Sequence, residues 1–290
     1  TAQNTPGYQR GTSRYRWAFP PETRIVEVDL AKADGTAGSL TVLEGDGKAY
    51  VAEGSISKDG RFLLFCSLET GDGDLYIRDL KTGKRVWRFS TVPAPGEKGA
   101  DTWEADSAER GGAGVWVTGT YDPELNMVYF GTGNPSPDFH GDDREGDNLF
   151  SNSLVALDAE KGTYRWHYQT TPNESWDYDN VAQITTADLD INGQKHHVVM
   201  QAPKNGFFYV LDRANGKLLR AFPFGKVNWA THVDLKTGRP VESEESKKLR
   251  AGQQIQLYPS IRGGKNWMHA AFNPNTGLLY ANTNEGYSNY

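Results

Sequence analysis

The sequence predicts an all-β protein, a β-propeller of four-stranded antiparallel blades, and three observations carry that expectation. Short apolar runs such as Met127-Val128-Tyr129-Phe130 and Phe207-Phe208-Tyr209-Val210-Leu211 read as strands, while no twelve-residue window shows a helical stripe. Composition agrees: 32 Gly and 14 Pro punctuate a chain with 8 Trp, 14 Tyr and 12 Phe, which is many turns joined to many rings. Finally, one phrase repeats: an apolar pair, an Asp, two or three polar residues, a Gly, then an aromatic or apolar strand.

The phrase stands at Ile77-Arg78-Asp79-Leu80-Lys81-Thr82-Gly83, leading to Trp87, and at Ala156-Leu157-Asp158-Ala159-Glu160-Lys161-Gly162, leading to Trp166. It returns at Val210-Leu211-Asp212-Arg213-Ala214-Asn215-Gly216, with looser echoes at Asp234–Gly238 and Asn273–Gly277. Each copy is a hairpin by local chemistry, because the Asp side chain accepts from amides ahead of it and Gly supplies a positive φ. At ~40–50 residues per blade, and with a long Asp- and Gly-rich loop from Pro135 to Asp147, the 290 residues suggest four or five blades. The alternative is a β-sandwich whose turns coincide.

Charge and cysteine content remove other classes. A net charge of −6 with dispersed Lys and Arg argues against a nucleic-acid partner. No apolar run is long enough for a membrane span. The single cysteine, Cys66, forbids an internal disulfide and, beside Leu63, Leu64 and Phe65, reads as a buried thiol. Thr1 follows no signal segment, so either a leader was cleaved or the chain comes from something longer. Asp188–Gly193 starts like a calcium loop but has Val199 at its twelfth position, and Asn192-Gly193 is better read as a hairpin turn. His196 and His197, adjacent on a strand, face opposite ways.

The chemistry gathers in short phrases. Asp177, between Trp176 and Tyr178, is a carboxylate among rings, desolvated as a general base must be, or else a turn cap. Asn134 follows a tight Gly131-Thr132-Gly133 turn, where its amide oxygen suits a hard cation or an Asx turn. Asp179 adds a second carboxylate two residues on.

Five ordered phrases resemble the quinoprotein alcohol dehydrogenases. They are Gly111-Gly112-Ala113-Gly114-Val115-Trp116; Gly131–Pro135 with Gly146-Asp147-Asn148; Tyr168–Pro172 leading to Trp176-Asp177-Tyr178-Asp179; Ala202-Pro203-Lys204-Asn205-Gly206-Phe207-Phe208-Tyr209; and Gly263-Gly264-Lys265-Asn266-Trp267. The repeat phrase looks like that family's tryptophan-docking motif. The match covers residues 79–290; residues 1–78 are weakly similar and look as much like a TolB-type propeller repeat.

The resemblance implies an eight-bladed propeller fold, here partial, carrying pyrroloquinoline quinone and a Ca2+ or lanthanide ion. It implies oxidation of a primary alcohol to an aldehyde, with Asp177 as base and Asn134 and Asp177 as metal ligands. Asp179 resembles the extra ligand of the lanthanide-type branch, and Glu69 is the candidate for the remaining metal-ligating Glu. Trp116 matches the ring on which the quinone stacks, Lys204 the cation at its reactive oxygens, and Asn266 and Trp267 a further contacting pair. Electrons would pass to a separate cytochrome c-type or other acceptor in the periplasm, and a homo-oligomer is left open.

The chain departs from the pattern at Gly114, where a hydroxyl residue is expected, and at Thr70–Asp74, which replaces an Arg-containing phrase. It has no adjacent-cysteine disulfide and is about half the family's length. Those departures keep a second expectation alive, a catalytically idle propeller fragment serving as an interaction scaffold.

Overall fold

The structure, a computed structural model, describes residues 23–28, 40–45, 51–57, 59–69, 73–139 and 141–290. Two short strands, β1 (Ile25–Val28) and β2 (Leu40–Glu44), pair with each other. Three complete four-stranded antiparallel sheets follow. The first is β3 (Val51–Ile56), β4 (Phe62–Ser67), β5 (Asp74–Asp79) and β6 (Arg85–Phe89). The second is β7 (Thr120–Asp122), β8 (Met127–Gly131), β9 (Ser153–Asp158) and β10 (Tyr164–Gln169). The third is β11 (Ile184–Ile191), β12 (Gln194–Gln201), β13 (Phe207–Asp212) and β14 (Leu218–Pro223).

Each sheet keeps its strands in sequence order, the up-and-down meander of a propeller blade. Two further hairpins, β15 (Ala230–Val233) with β16 (Pro240–Glu242) and β18 (Ala271–Asn273) with β19 (Leu278–Tyr280), flank a short helix α1 (Glu244–Arg250). Near the end of the chain, β17 (Gln256–Leu257) pairs with β20 (Ser288–Asn289). Length and the long Pro135–Asp147 loop suggest four or five blades; among the described residues three are complete, and residues 90–119, 132–152 and 170–183 are spent on long connections. The division expected at 78/79 falls inside β5, which bonds to β4 on one side and β6 on the other. Of the phrase that departs from the family, Thr70, Gly71 and Asp72 lie outside the described residues, as does most of 1–50.

The core lies between blades. Along β8 all of Met127-Val128-Tyr129-Phe130 is buried, yet alternation still operates. Val128 and Phe130 pack toward Ile77 and Trp87 of the first blade, whereas Met127 and Tyr129 pack toward Ile184, Val199 and Leu211 of the third. A strand covered on both faces therefore reads as a continuous apolar run. Cys66 is buried in the same layer as Ile77.

All five repeat phrases form the predicted turns. Asp79 Oδ1 accepts from the Lys81 and Thr82 amides at 2.9 and 3.0 Å, and Asp158 Oδ1 from those of Glu160 and Lys161 at 3.0 and 2.9 Å. Asp234 repeats the pattern, and Asp212 and Asn273 accept from the amide two residues ahead. The closing glycines, Gly83, Gly162, Gly216, Gly238 and Gly277, all have φ between +66° and +73°.

These turns also join blades. Trp87 Nε1 donates to Ala159 O at 3.0 Å and its ring lies on Gly162; Trp166 Nε1 donates to Arg213 O at 3.2 Å over Gly216. A Cβ at Gly216 would meet the Trp166 ring at 2.5 Å, at a φ of +73°. Gly216→Ala is therefore expected to lower stability by about 2 kcal/mol or more in urea unfolding, from strain and overpacking together. A loss below about 0.5 kcal/mol would show that the Trp–Gly stack does not couple the blades.

Candidate active site

In an up-and-down blade, successive connections alternate between the two ends of the sheet. The Asp–Gly turns occupy one end. At the other lie the β6–β7, β8–β9, β10–β11 and β12–β13 connections, and these carry Trp116, Asn134, Asp177 with Asp179, and Lys204 respectively. One end of the propeller thus collects the predicted residues from four separate segments.

The backbone sets their register. Ala113 N donates to Asn134 O and Gly133 N to Gly114 O, each at 2.8 Å, so the segment carrying Trp116 lies along the segment carrying Asn134. Gly133 has no room for a side chain: a Cβ there would run into the Trp116 ring and lie 3.1 Å from Asp179 Oδ1. The indole is half-buried against that glycine.

Lys204 is the electrostatic centre. Its Nζ lies 3.0 Å from Asp177 Oδ1 and 2.9 Å from Asp179 Oδ2, and its side chain is only 7% exposed. Asp179 Oδ1 accepts the Asn134 backbone N–H at 2.9 Å. Burial and the Asp179 charge push the Asp177 carboxyl up, to about 8, against the pull of the Lys204 ammonium. Burial opposes the charge on Lys204, but Asp179 and Asp177 outweigh it and hold its pKa above the ordinary lysine value.

The fifth phrase packs on this centre from below. Gly264 N donates to Lys204 O at 2.9 Å, and a Cβ at Gly263 would meet Lys204 Cβ at 2.6 Å. Asn266 Nδ2 turns back to Arg262 O at 3.0 Å, and Trp267 is 61% exposed. Glu69 lies in the β4–β5 connection, at the same end of the blades, but its carboxylate pairs with Arg85 at 2.5 Å, and Arg85 also reaches the buried Glu44. The Arg85 guanidinium, unforeseen because it lies on the next strand but one, holds Glu69 within the first blade.

Three residues escaped the sequence reading. Asp138 lies beside Asn134, its carboxyl pushed up by burial. Arg144 is fully buried, its guanidinium on Pro137 O, Asn148 Oδ1 and Glu174 O. Glu174 is fully buried too, and its Oε1 accepts from the Trp176 and Tyr178 amides. The signal available was charge inside an aromatic phrase, Glu174-Ser175-Trp176-Asp177, which is costly unless each charge has a partner.

The donor chemistry fits a hard cation: two carboxylates and an amide oxygen, with one ammonium already compensating them. Among the described residues, no three His, Cys, Asp or Glu side chains converge as a ready-made metal cluster. The ring chemistry fits a flat aromatic ligand, because Trp116 is backed by a glycine and flanked by Asp179.

Comparison with known proteins decides the kinship. Residues 49–230 match the family described as PQQ glucose/ethanol/alcohol dehydrogenase, β-propeller domain. The chain belongs to this PQQ-dependent alcohol dehydrogenase family. It is 48% identical over 216 residues to the quinohemoprotein alcohol dehydrogenase ADH IIB of Pseudomonas putida, a match covering 70% of this chain and 31% of that protein. It is 40% identical over 263 residues to the quinohemoprotein alcohol dehydrogenase of Comamonas testosteroni, covering 85% and 36%. Among solved structures, a europium-containing methanol dehydrogenase superposes with a TM-score of 0.76 at 30% identity, covering 91% of this chain and 49% of that one. The chain spans about a third of the length of these curated relatives. No helix among the described residues is long and apolar enough to cross a membrane.

Proposed function

We propose that this chain supplies the catalytic end of a quinoprotein that oxidises a small primary alcohol to its aldehyde. The observation that carries the reading is the Asp177–Lys204–Asp179 triad, a buried cation held between two carboxylates beside a half-buried indole. Asn134, Asp177 and Asp179 would hold a calcium or lanthanide ion, and Glu69 would join them only by leaving Arg85. Trp116 would lie under the pyrroloquinoline quinone, with Asn266 and Trp267 at its rim. Bound there, the metal and quinone together would supply a polarised two-electron acceptor.

The chain's own residues do the rest. Asp177, ionised, takes the alcohol's hydroxyl proton, and a cation bound beside it would keep its carboxylate charged for that exchange. Lys204 places a fixed positive charge where negative charge develops, and its burial keeps water from screening it. Trp116 and Gly133 close one face against solvent. The second carboxylate, Asp179, favours a trivalent over a divalent ion by simple charge. The electrons pass to a separate acceptor, and the family resemblance supports a periplasmic setting for the reaction.

The test is titration of the purified protein with the quinone in calcium and in lanthanum, read by absorbance and by dye-linked ethanol oxidation. Metal-dependent quinone binding with turnover that rises with pH and disappears in Asp177→Asn is the expected result. Turnover with lanthanum alone would make Asp179 a ligand. Failure to bind the quinone with either metal would overturn the reading and favour an idle scaffold.

A further inference from the structure

Asp177 reaches Lys204 from a backbone conformation that aspartate seldom adopts, with φ +64°. The left-handed region costs a non-glycine residue about 1–2 kcal/mol, so something must hold the turn. The amides on either side of Asp177 point to the holder. Trp176 N donates to Glu174 Oε1 at 2.6 Å, and Tyr178 N donates to the same oxygen at 2.8 Å. One carboxylate oxygen brackets the residue between them.

Glu174 is fixed in its turn. Its carbonyl accepts from Arg144 Nη2, while Arg144 Nη1 donates to Asn148 Oδ1 at 2.8 Å and Nε to Pro137 O at 3.2 Å. The bracket is thereby anchored to the connection that carries Asn134. The other oxygen, Oε2, has no hydrogen-bond partner although the side chain is completely buried. A group kept at that cost, with one oxygen in use, is there for the two amides that it gathers.

We propose that Glu174 is a positioning residue that holds Asp177 in its left-handed turn and so aims its carboxylate at Lys204 and the cation position. The assignment deepens the reading of Asp177 as base and metal ligand and rests on it. Only a single acceptor oxygen is required of residue 174, so Gln satisfies the role and Ala does not.

The test compares Glu174→Ala, Glu174→Gln, Asp177→Ala and the double variant Glu174→Ala/Asp177→Ala. It uses terbium(III) luminescence with the metal alone, and amide hydrogen exchange. Glu174→Ala is expected to weaken terbium binding about tenfold and to speed exchange at the Trp176 and Tyr178 amides; Glu174→Gln restores both. In the Asp177→Ala background the Glu174→Ala change costs no further affinity, which a general loss of structure would not reproduce. Unchanged terbium affinity in Glu174→Ala, an equal loss in both backgrounds, or failure of Gln to rescue would each overturn the assignment. If Glu174→Ala does not fold, Glu174→Gln decides alone: lost affinity or lost amide protection overturns it. A wild-type protein that binds no terbium would sink the quinoprotein reading instead, and exchange at Trp176 and Tyr178 would still judge the bracket.

Discussion

Lys204→Met is expected to cost about 3–5 kcal/mol of stability at pH 8, the loss typical of a buried ion pair stripped of one partner. Methionine keeps the aliphatic stem, so the deficit reports charge rather than volume. In the wild type one ammonium compensates Asp177 and Asp179, whose side chains are 23% and 10% exposed. Without it both carboxylates face each other across a poorly solvated gap, and Asp177 loses the charge that pulls its pKa down, so its folded-state value rises further. The sign follows: an acid whose folded pKa is raised is stabilised at low pH, and that stability is lost as pH rises through the raised value. The gap between variant and wild type should therefore be narrow near pH 4 and wide near pH 8. Added calcium or lanthanum should narrow it again at pH 8, because a hard cation can replace the ammonium between the same oxygens. Urea unfolding across pH, with and without metal, measures both effects. A gap that stays constant with pH would mean that the two carboxylates do not depend on Lys204.

The parts of the fold that were legible in the sequence are those set by local chemistry. An Asp or Asn that accepts from an amide two residues ahead, closed by a glycine at φ near +70°, needs no distant partner. That is why all five turns could be read from their phrases. The apolar run at Met127–Phe130 was likewise legible, because burial between two blades leaves its mark on every residue. The site was legible to the extent that its residues sit in glycine-bounded phrases: Asn134, Asp177, Asp179 and Lys204 converge, with Trp116 beside them.

What was not legible depends on competition between distant partners. Glu69 offered a carboxylate at a plausible spacing, but Arg85, sixteen residues on, claims it. Asn266 and Trp267 follow the right phrase, yet the turn directs the amide to Arg262 O and leaves the indole in solvent. Arg144 and Glu174 are thirty residues apart and meet only because two blade connections lie at the same end. No periodicity or spacing encodes that meeting. The number of residues that each blade connection spends around the site was not legible either, and among the described residues it leaves three complete four-stranded sheets.

Glu174 also predicts how stability should change with pH. Burial pushes its carboxyl up from the ordinary glutamate value to about 7, although two amides and the Arg144 charge pull the other way. Between about pH 4.5 and 7 the unfolded chain has released this proton while the folded chain keeps it. The contribution is thus fully present below the unfolded value and is lost as pH rises through 7, a change of about 3 kcal/mol. Glu174→Gln keeps the acceptor oxygen and cannot ionise, so it should remove this slope. Other groups titrate in both proteins, among them Asp147, whose carboxyl Arg239 holds below its usual range. The difference between variant and wild type cancels them. Measured by urea unfolding, Glu174→Gln should gain on the wild type steadily from pH 5 to pH 8 and level off above. A difference that does not vary over that range would mean that Glu174 is already ionised in the folded protein, with its bare oxygen hydrated. The Arg144 guanidinium, held by Asn148 and Pro137, would then be compensating that buried carboxylate.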